Sequence, residues 1–207
     1  MERGLQPPEG NEHQAGHQPE HETSPEQQSE VQPRIYVACL SSYNNGILHG
    51  EWINANQDVG GLWSDIAQML AASPTPGAEE WAIHDSEDFY GLRLNEYENV
   101  QTVSRIAKGI TEHGEAFALL AGYASLDDLD FLEAAMRSSY LGVWDSMDEF
   151  VEHVVDDMAI ETYIDNAPES YRQYLNIDKD KLSHDLEAGL TILEGSDRRI
   201  HVFDPNR

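Results

Sequence analysis

Carboxylates are the chemically active side chains that recur at regular spacing in this chain. Ser146-Met147-Asp148-Glu149 matches the S-x-x-E pattern that opens a helix. At about 100° per residue, Met147, Val151, Val154 and Met158 fall on one side of that helix. Glu149, Glu152 and Asp156 fall nearly opposite, with Asp148 at their edge. One face is expected to be buried while the other presents a row of anions. Between Asp127 and Asp165 there are twelve acids and one base, Arg137. Like charges four residues apart, such as Asp148, Glu152 and Asp156, destabilise a helix by a few tenths of a kcal/mol per pair. Such a row suits the presentation of fixed negative charge to a cationic partner.

Motifs for bond-making chemistry are missing. There is no Walker loop, no G-x-S-x-G and no H-E-x-x-H. Cys39 sits in an apolar, strand-like run with no evident partner, which reads as core. His84-Asp85 resembles half of a metal site, but no second cluster with ligand spacing follows. Asp178-Lys179-Asp180 starts like a calcium loop, yet Leu182 and the absent glycine at the sixth position break it. No catalytic residue, cofactor or metal is therefore expected.

The charge balance is the second signal. Thirty-nine acidic residues stand against 12 Lys and Arg, a formal net charge of −27. Such a field repels nucleic acid and anionic membranes and attracts basic clefts, of which nucleic-acid enzymes have the largest. The sequence is 40% hydrophobic with four Trp and nine Tyr, enough for a core. Residues 1–33 hold seven of the acids and one base, so the remainder still carries −21. Duplex DNA carries about one charge per 1.7 Å of axis. From Asp148 to Asp156 a helix rises about 12 Å with four acids, where DNA has about seven charges. One helix is too sparse, and several elements must combine. Two copies of the −21 part together match about 21 base pairs.

The elements that must carry these charges read as α+β. Residues 1–33, rich in Pro, Gln and Glu, cannot offset the entropy of ordering and are expected to be a disordered acidic tail. Ile35, Val37 and Cys39 alternate as in a strand. Asn45-Gly46 signals a type I′ hairpin with a return strand from Ile47 to Ile53. A helix from Gly60 to Ala72 would place Leu62, Ile66, Met69 and Leu70 inward, and Glu80 to His84 reads as a strand. Asn99 can cap a helix in which Val100, Val103, Ile106, Ala107 and Ile110 keep helical spacing and Gly114 ends it. Helices fit Glu115 to Ala124 and Asp127 to Arg137. After the helix at Ser146, further starts lie at Asn166 and Pro168, and a helix fits Asp178 to Glu187. Leu190 to Leu193 and Ile200 to Phe203 read as closing strands. The division is 34–95 as an N-terminal α+β unit, 96–138 as a helical middle and 139–207 as a C-terminal α+β unit. One cysteine permits no internal disulfide, which fits a reducing cytoplasm. No apolar leader opens the chain and no run approaches about 18 apolar residues.

Three stretches carry a family resemblance. RIYVACLSSYNNGILHGEWI (Arg34 to Ile53) resembles the start of the ArdA family of antirestriction proteins. GAEEWAIHD (Gly77 to Asp85) is similar to a second hallmark and YLGVWDSMDEF (Tyr140 to Phe150) to a third. The resemblance covers nearly all of Arg34 to Phe203. It implies an elongated, curved chain of three small domains in a row that dimerises through its C-terminal domain. Its acidic surface would imitate bent DNA and occupy the DNA-binding site of bacterial type I restriction-modification enzymes, on the methyltransferase core, on behalf of a plasmid or transposon. The stretch through Pro33 is extra relative to the family, and Tyr163 to Asn176 matches its proposed antirestriction motif only loosely.

On this reading the phosphate mimics are Glu79, Glu80, Asp85, Glu87, Asp88, Glu96, Glu98, Glu112, Glu115, Asp127, Asp128, Asp130, Glu133, Asp145, Asp148, Glu149, Glu152, Asp156 and Asp157. Tyr140, Leu141 and Trp144 are candidates for the homodimer interface. The competing readings are an acidic scaffold or chaperone-like binder of basic proteins, and a small metal-dependent hydrolase.

Overall fold

The computed structural model describes residues 31–126 and 128–207, so residues 1–30 of the expected 1–33 tail and the candidate Asp127 lie outside the described residues, while Val31 packs against the core and Pro33 is buried, its carbonyl accepting the Ala55 N–H at 2.8 Å. Among the described residues the fold is α+β, with two three-stranded antiparallel sheets and helices in the connections between strands.

The first sheet has the order β2-β1-β3. In β1 (Arg34–Cys39), Ile35, Val37 and Cys39 are buried as the alternation requires, and Ala38 joins them. A bulge between Tyr36 and Val37 shifts the register against β3 (Trp81–Glu87), which runs three residues beyond the expected strand. β2 (Gly50–Asn54) pairs with β1 from Arg34↔Asn54 to Ala38↔Gly50. On the sheet's outer face Tyr36 packs on Trp52 at 5.5 Å, and the Arg34 guanidinium lies 5.5 Å over the same indole.

The expected hairpin at Asn45-Gly46 is corrected. β1 and β2 are antiparallel neighbours, but a short helix, α1 (Leu40–Asn44), connects them. A type I′ turn needs positive φ at both central residues, and Asn45 has φ −91° while Gly46 alone has +73°. Ser42 is buried and bonds Ser73 Oγ at 2.8 Å and Thr75 Oγ1 at 2.9 Å, anchoring α1 to the loop that carries those two residues. α2 (Val59–Ala71) is capped by Asp58, whose Oδ1 accepts the Gly61 N–H at 2.6 Å. It buries Leu62, Ile66 and Met69 against the sheet, while Leu70 stays half-buried.

Three helices follow. In α3 (Val100–His113), Asn99 Oδ1 accepts the Gln101 N–H at 2.8 Å and Gly114, at φ +61°, ends the helix. All five expected inward residues of α3 are buried. α4 (Glu115–Ala124) packs so closely on α3 that a Cβ at Gly109 would lie 2.4 Å from the Phe117 ring. α5 (Leu129–Ser138) starts two residues later than expected, because Asp128 caps it through the Phe131 N–H at 3.0 Å. One buried cluster runs from β1 through α5 and takes in Phe203 from the far end of the chain.

The second sheet has the order β4-β6-β5. β4 (Tyr140–Trp144), not foreseen as a strand, pairs with β6 (Ile200–Phe203), which pairs with β5 (Thr191–Glu194). Between β4 and β5 lie α6 (Met147–Asp157), α7 (Ile160–Asp165), α8 (Glu169–Arg172) and α9 (Lys179–Gly189). α7 was not expected. α6 buries Phe150, Val151 and Val155, with Met147 and Val154 half-buried. The inward stripe is thus wider than expected and stops before Met158. That residue lies past the last helical residue, is 53% exposed and precedes Ala159 at φ +48°. No residue of α7, α8 or α9 is buried.

An anionic surface as the candidate functional site

On α6 the cap fixes where the acids point. The Glu149 N–H donates to Ser146 Oγ at 3.2 Å. The Glu149 carboxylate reaches back to the Asp145 N–H at 2.6 Å, one residue earlier than a capping box places it. With Phe150, Val151 and Val155 inward, Asp148, Glu149, Glu152, Asp156 and Asp157 are all exposed. The row is not uniform, however. Lys179 Nζ, at the start of α9, sits 2.6 Å from both oxygens of Glu152. The bond from Glu152 raises the Lys179 pKa above the ordinary lysine value, with Glu161 and Asp156 adding to it. Lys179 therefore neutralises the middle of the row.

The same division recurs elsewhere. Arg105 on α3 bonds Asp130 at 2.5 Å and Glu133 at 2.9 Å on α5, and the bonds to Asp130 and then Glu133 push its pKa further up. Arg34 pairs with Glu87 across the first sheet. Glu115, at the start of α4, accepts the Ser196 N–H at 2.7 Å and ties the helices to the β5–β6 turn. Glu98 accepts from Asn95 Nδ2 at 2.8 Å and the Asn99 N–H at 3.2 Å. Asp85 accepts the Ser86 N–H and Asp128 caps α5. Glu112 has a longer contact, 3.7 Å, with His113.

Of the eighteen described candidates, fifteen are exposed; Glu98, Glu115 and Glu133 are half-buried. The side chains of Glu79, Glu80, Asp88, Glu96, Asp145, Asp148, Asp156 and Asp157 carry no hydrogen bond or ion pair among the described residues. They are the carboxylates free to meet an incoming cation without breaking an existing contact. Sequence periodicity found the exposed acids Asp148, Glu149, Glu152 and Asp156 of α6. It missed Lys179 and Arg105, whose partners lie 27 and 25 residues away and become neighbours only by packing.

Tyr140 and Trp144 have partners within the chain. The Tyr140 hydroxyl and His201 Nδ1 are 3.0 Å apart, and its ring packs on Phe203 at 5.0 Å. Burial raises the Tyr140 pKa, with Arg199 opposing it, and burial lowers that of His201. Trp144 packs on Phe150 at 4.5 Å and His153 at 5.7 Å. Tyr140, Leu141 and Trp144 are all half-buried, and β4 is an edge strand of its sheet.

Cys39 is fully buried, with Ser73 Oγ and the Ser42 N–H each 3.5 Å from its sulfur. Burial pushes the thiol up, but these bonds outweigh it and leave the pKa lowered. His84 makes an edge contact with Tyr43 at 5.2 Å, and Asp178 caps α9 through the Lys181 N–H at 3.0 Å. Among the described residues, no three His, Cys, Asp or Glu side chains gather to hold a metal, and no helix is long and apolar enough to cross a membrane.

A family model described as antirestriction protein (ArdA) matches residues 35–197. No curated protein matches the chain.

Proposed function

The chain belongs to the ArdA antirestriction family, and from that premise we propose that it blocks type I restriction-modification enzymes by occupying their DNA-binding cleft as an acidic mimic of duplex DNA. The observation that carries the reading is the exposure of fifteen candidate carboxylates, among them the five of α6, whose opposite face is buried. Enzymes that grip DNA do so largely through Lys and Arg on phosphates. Anions held on capped, core-backed elements can satisfy the same groups without paying the entropy of ordering a flexible acidic chain. Inhibition needs no bond cleavage, so no side chain here is assigned a catalytic role. The target resides in the bacterial cytoplasm, and the inhibitor acts there.

A homodimer would double the charge and lengthen the decoy. We place its two-fold contact in the C-terminal unit, along the edge of β4 between Tyr140 and Trp144 that pairs with no other described strand. A free strand edge offers a ready template for pairing with a second copy.

Titrating the purified protein against one type I enzyme, with cleavage and methylation scored on the same DNA, tests the reading. Both activities should fall together, since both require the methyltransferase core to hold DNA. Undiminished activity at saturating protein would contradict it. A mere acidic scaffold would bind basic proteins without that loss.

A further inference from the structure

Three aromatic rings and one carboxylate, that of the phosphate-mimic candidate Glu98, form a groove of about 360 Å³. Trp63 comes from α2 and Trp81 opens β3. Tyr97 lies in the segment after β3, held beside that strand by the Ile83 N–H, which donates to the Glu96 carbonyl at 2.8 Å. The two indoles are 5.8 Å apart at 82°, so they meet as a corner and do not cover each other as a stack. Trp63 is 50% exposed and Tyr97 is 69% exposed. Glu98, Asn99 and Val100 complete the lining. Two donors fix the Glu98 carboxylate, which leaves about half of its roughly four acceptor sites open.

The chemistry of the lining selects the occupant. A net charge of −27 repels an anion. A purely apolar group would desolvate Glu98 without compensation. Aromatic faces carry negative potential and attract cations within about 6 Å of the centroid. A guanidinium is planar and weakly hydrated, stacks on such faces and pairs with carboxylates through a fork of donors, whereas an ammonium is a strongly hydrated point charge. The chain itself supplies a filled example. Arg34 lies 5.5 Å over Trp52 while its guanidinium pairs with Glu87. Trp63, Trp81, Tyr97 and Glu98 offer the same combination, with no guanidinium of the described residues lining it.

We propose that this groove receives an arginine side chain of a basic protein partner. On the reading above, which supplies the partner's identity, that arginine belongs to the DNA-binding surface of the restriction enzyme. The groove then contributes affinity that a row of phosphates lacks.

The test uses the full chain and two capped peptides at physiological ionic strength, one of arginines spaced by Gly-Ser and one with lysine at the same places. A citrulline version serves as the uncharged control. Wild type should bind the arginine peptide several-fold more tightly than the lysine peptide, and the citrulline peptide weakest. Trp63→Leu and Tyr97→Leu leave the charge unchanged. Each should weaken arginine-peptide binding about two- to fivefold and shrink the preference over lysine, while Trp63→Phe retains most of it. Thermal melts identify any variant that fails to fold. Equal affinity of wild type for the arginine and lysine peptides, or folded leucine variants that keep the preference, would overturn the proposal. The same variants against a type I enzyme separate the two claims. If wild type inhibits and folded Trp63→Leu inhibits equally well, the groove is not used and this inference falls. If wild type never inhibits but keeps its aromatic-dependent arginine preference, the guanidinium site stands and the restriction-enzyme reading falls.

Discussion

Replacing Asp148, Asp156 and Asp157 together by Asn should weaken binding to the target enzyme strongly while raising stability slightly. These three α6 acids are exposed and carry no internal hydrogen bond or ion pair among the described residues. Glu149 is left alone because its carboxylate holds the Asp145 N–H, and Glu152 because Lys179 already neutralises it. An exposed carboxylate facing a partner's Lys or Arg contributes about 0.2–1 kcal/mol. Asp148 and Asp156 are about 12 Å apart along the helix, beyond a Debye length of about 8 Å, so their losses should add. Adjacent Asp156 and Asp157 should couple. The triple variant should then lose about 0.6–3 kcal/mol of binding, from about threefold to somewhat over a hundredfold in dissociation constant. Stability responds differently. Asp148 lies in the first turn of α6, where a negative charge favours the helix dipole by about 0.3–1 kcal/mol. Asp156 and Asp157 lie in the last turn, where negative charge opposes it, so two small gains outweigh one loss and stability should rise by no more than about 1 kcal/mol. The assay is displacement of a labelled duplex from the methyltransferase core, with urea melts alongside. A triple variant within twofold of wild type would refute the assignment of α6 to the binding surface. A single substitution that abolished inhibition in a folded protein would refute the distribution of binding over many carboxylates.

Three further outcomes are expected. Lys179→Met, which frees Glu152 and removes the base from the row, should tighten binding to the enzyme up to about fivefold in the same displacement assay. Gly109→Ala should destabilise the chain by about 1–3 kcal/mol in urea unfolding, because the new methyl meets the Phe117 ring, with inhibition retained below the melting temperature. Burial holds His201 below the ordinary histidine pKa, against smaller opposing pulls from Glu115 and Asp197. The unfolded chain therefore binds more protons in the window below about pH 6.5, so stability should fall as pH drops from that value toward the lowered folded pKa and level off beneath it. Melting temperatures between about pH 7.5 and 5 should show a flatter profile for His201→Gln than for wild type.

How much of this was legible in the sequence depends on whether the signal was local. The strand from Arg34, the cap at Asn99, the stop at Gly114 and the box at Ser146 are local, and each element stands where its residues place it. The acidic face of α6 followed from its periodicity, although Phe150 and Val155 widen the buried stripe and Met158 drops out as the helix ends. Asn45-Gly46 misled because the chain winds one helical turn before Gly46 supplies its positive φ. β4 was missed because Gly142 interrupts its alternation, and a bulge shifts its register against β6. The pairs Lys179–Glu152 and Arg105–Asp130, and the corner of Trp63 with Trp81, are products of tertiary packing that no short-range pattern encodes.

The central claim is that this protein and duplex DNA compete for one site. The most direct measurement is the rate of methylation by a type I methyltransferase at several fixed inhibitor concentrations while the DNA concentration is varied. Competition predicts that the apparent KM for DNA rises in proportion to inhibitor while kcat stays constant, and that excess DNA restores full activity. A falling kcat at constant KM would place the protein elsewhere on the enzyme and contradict the account.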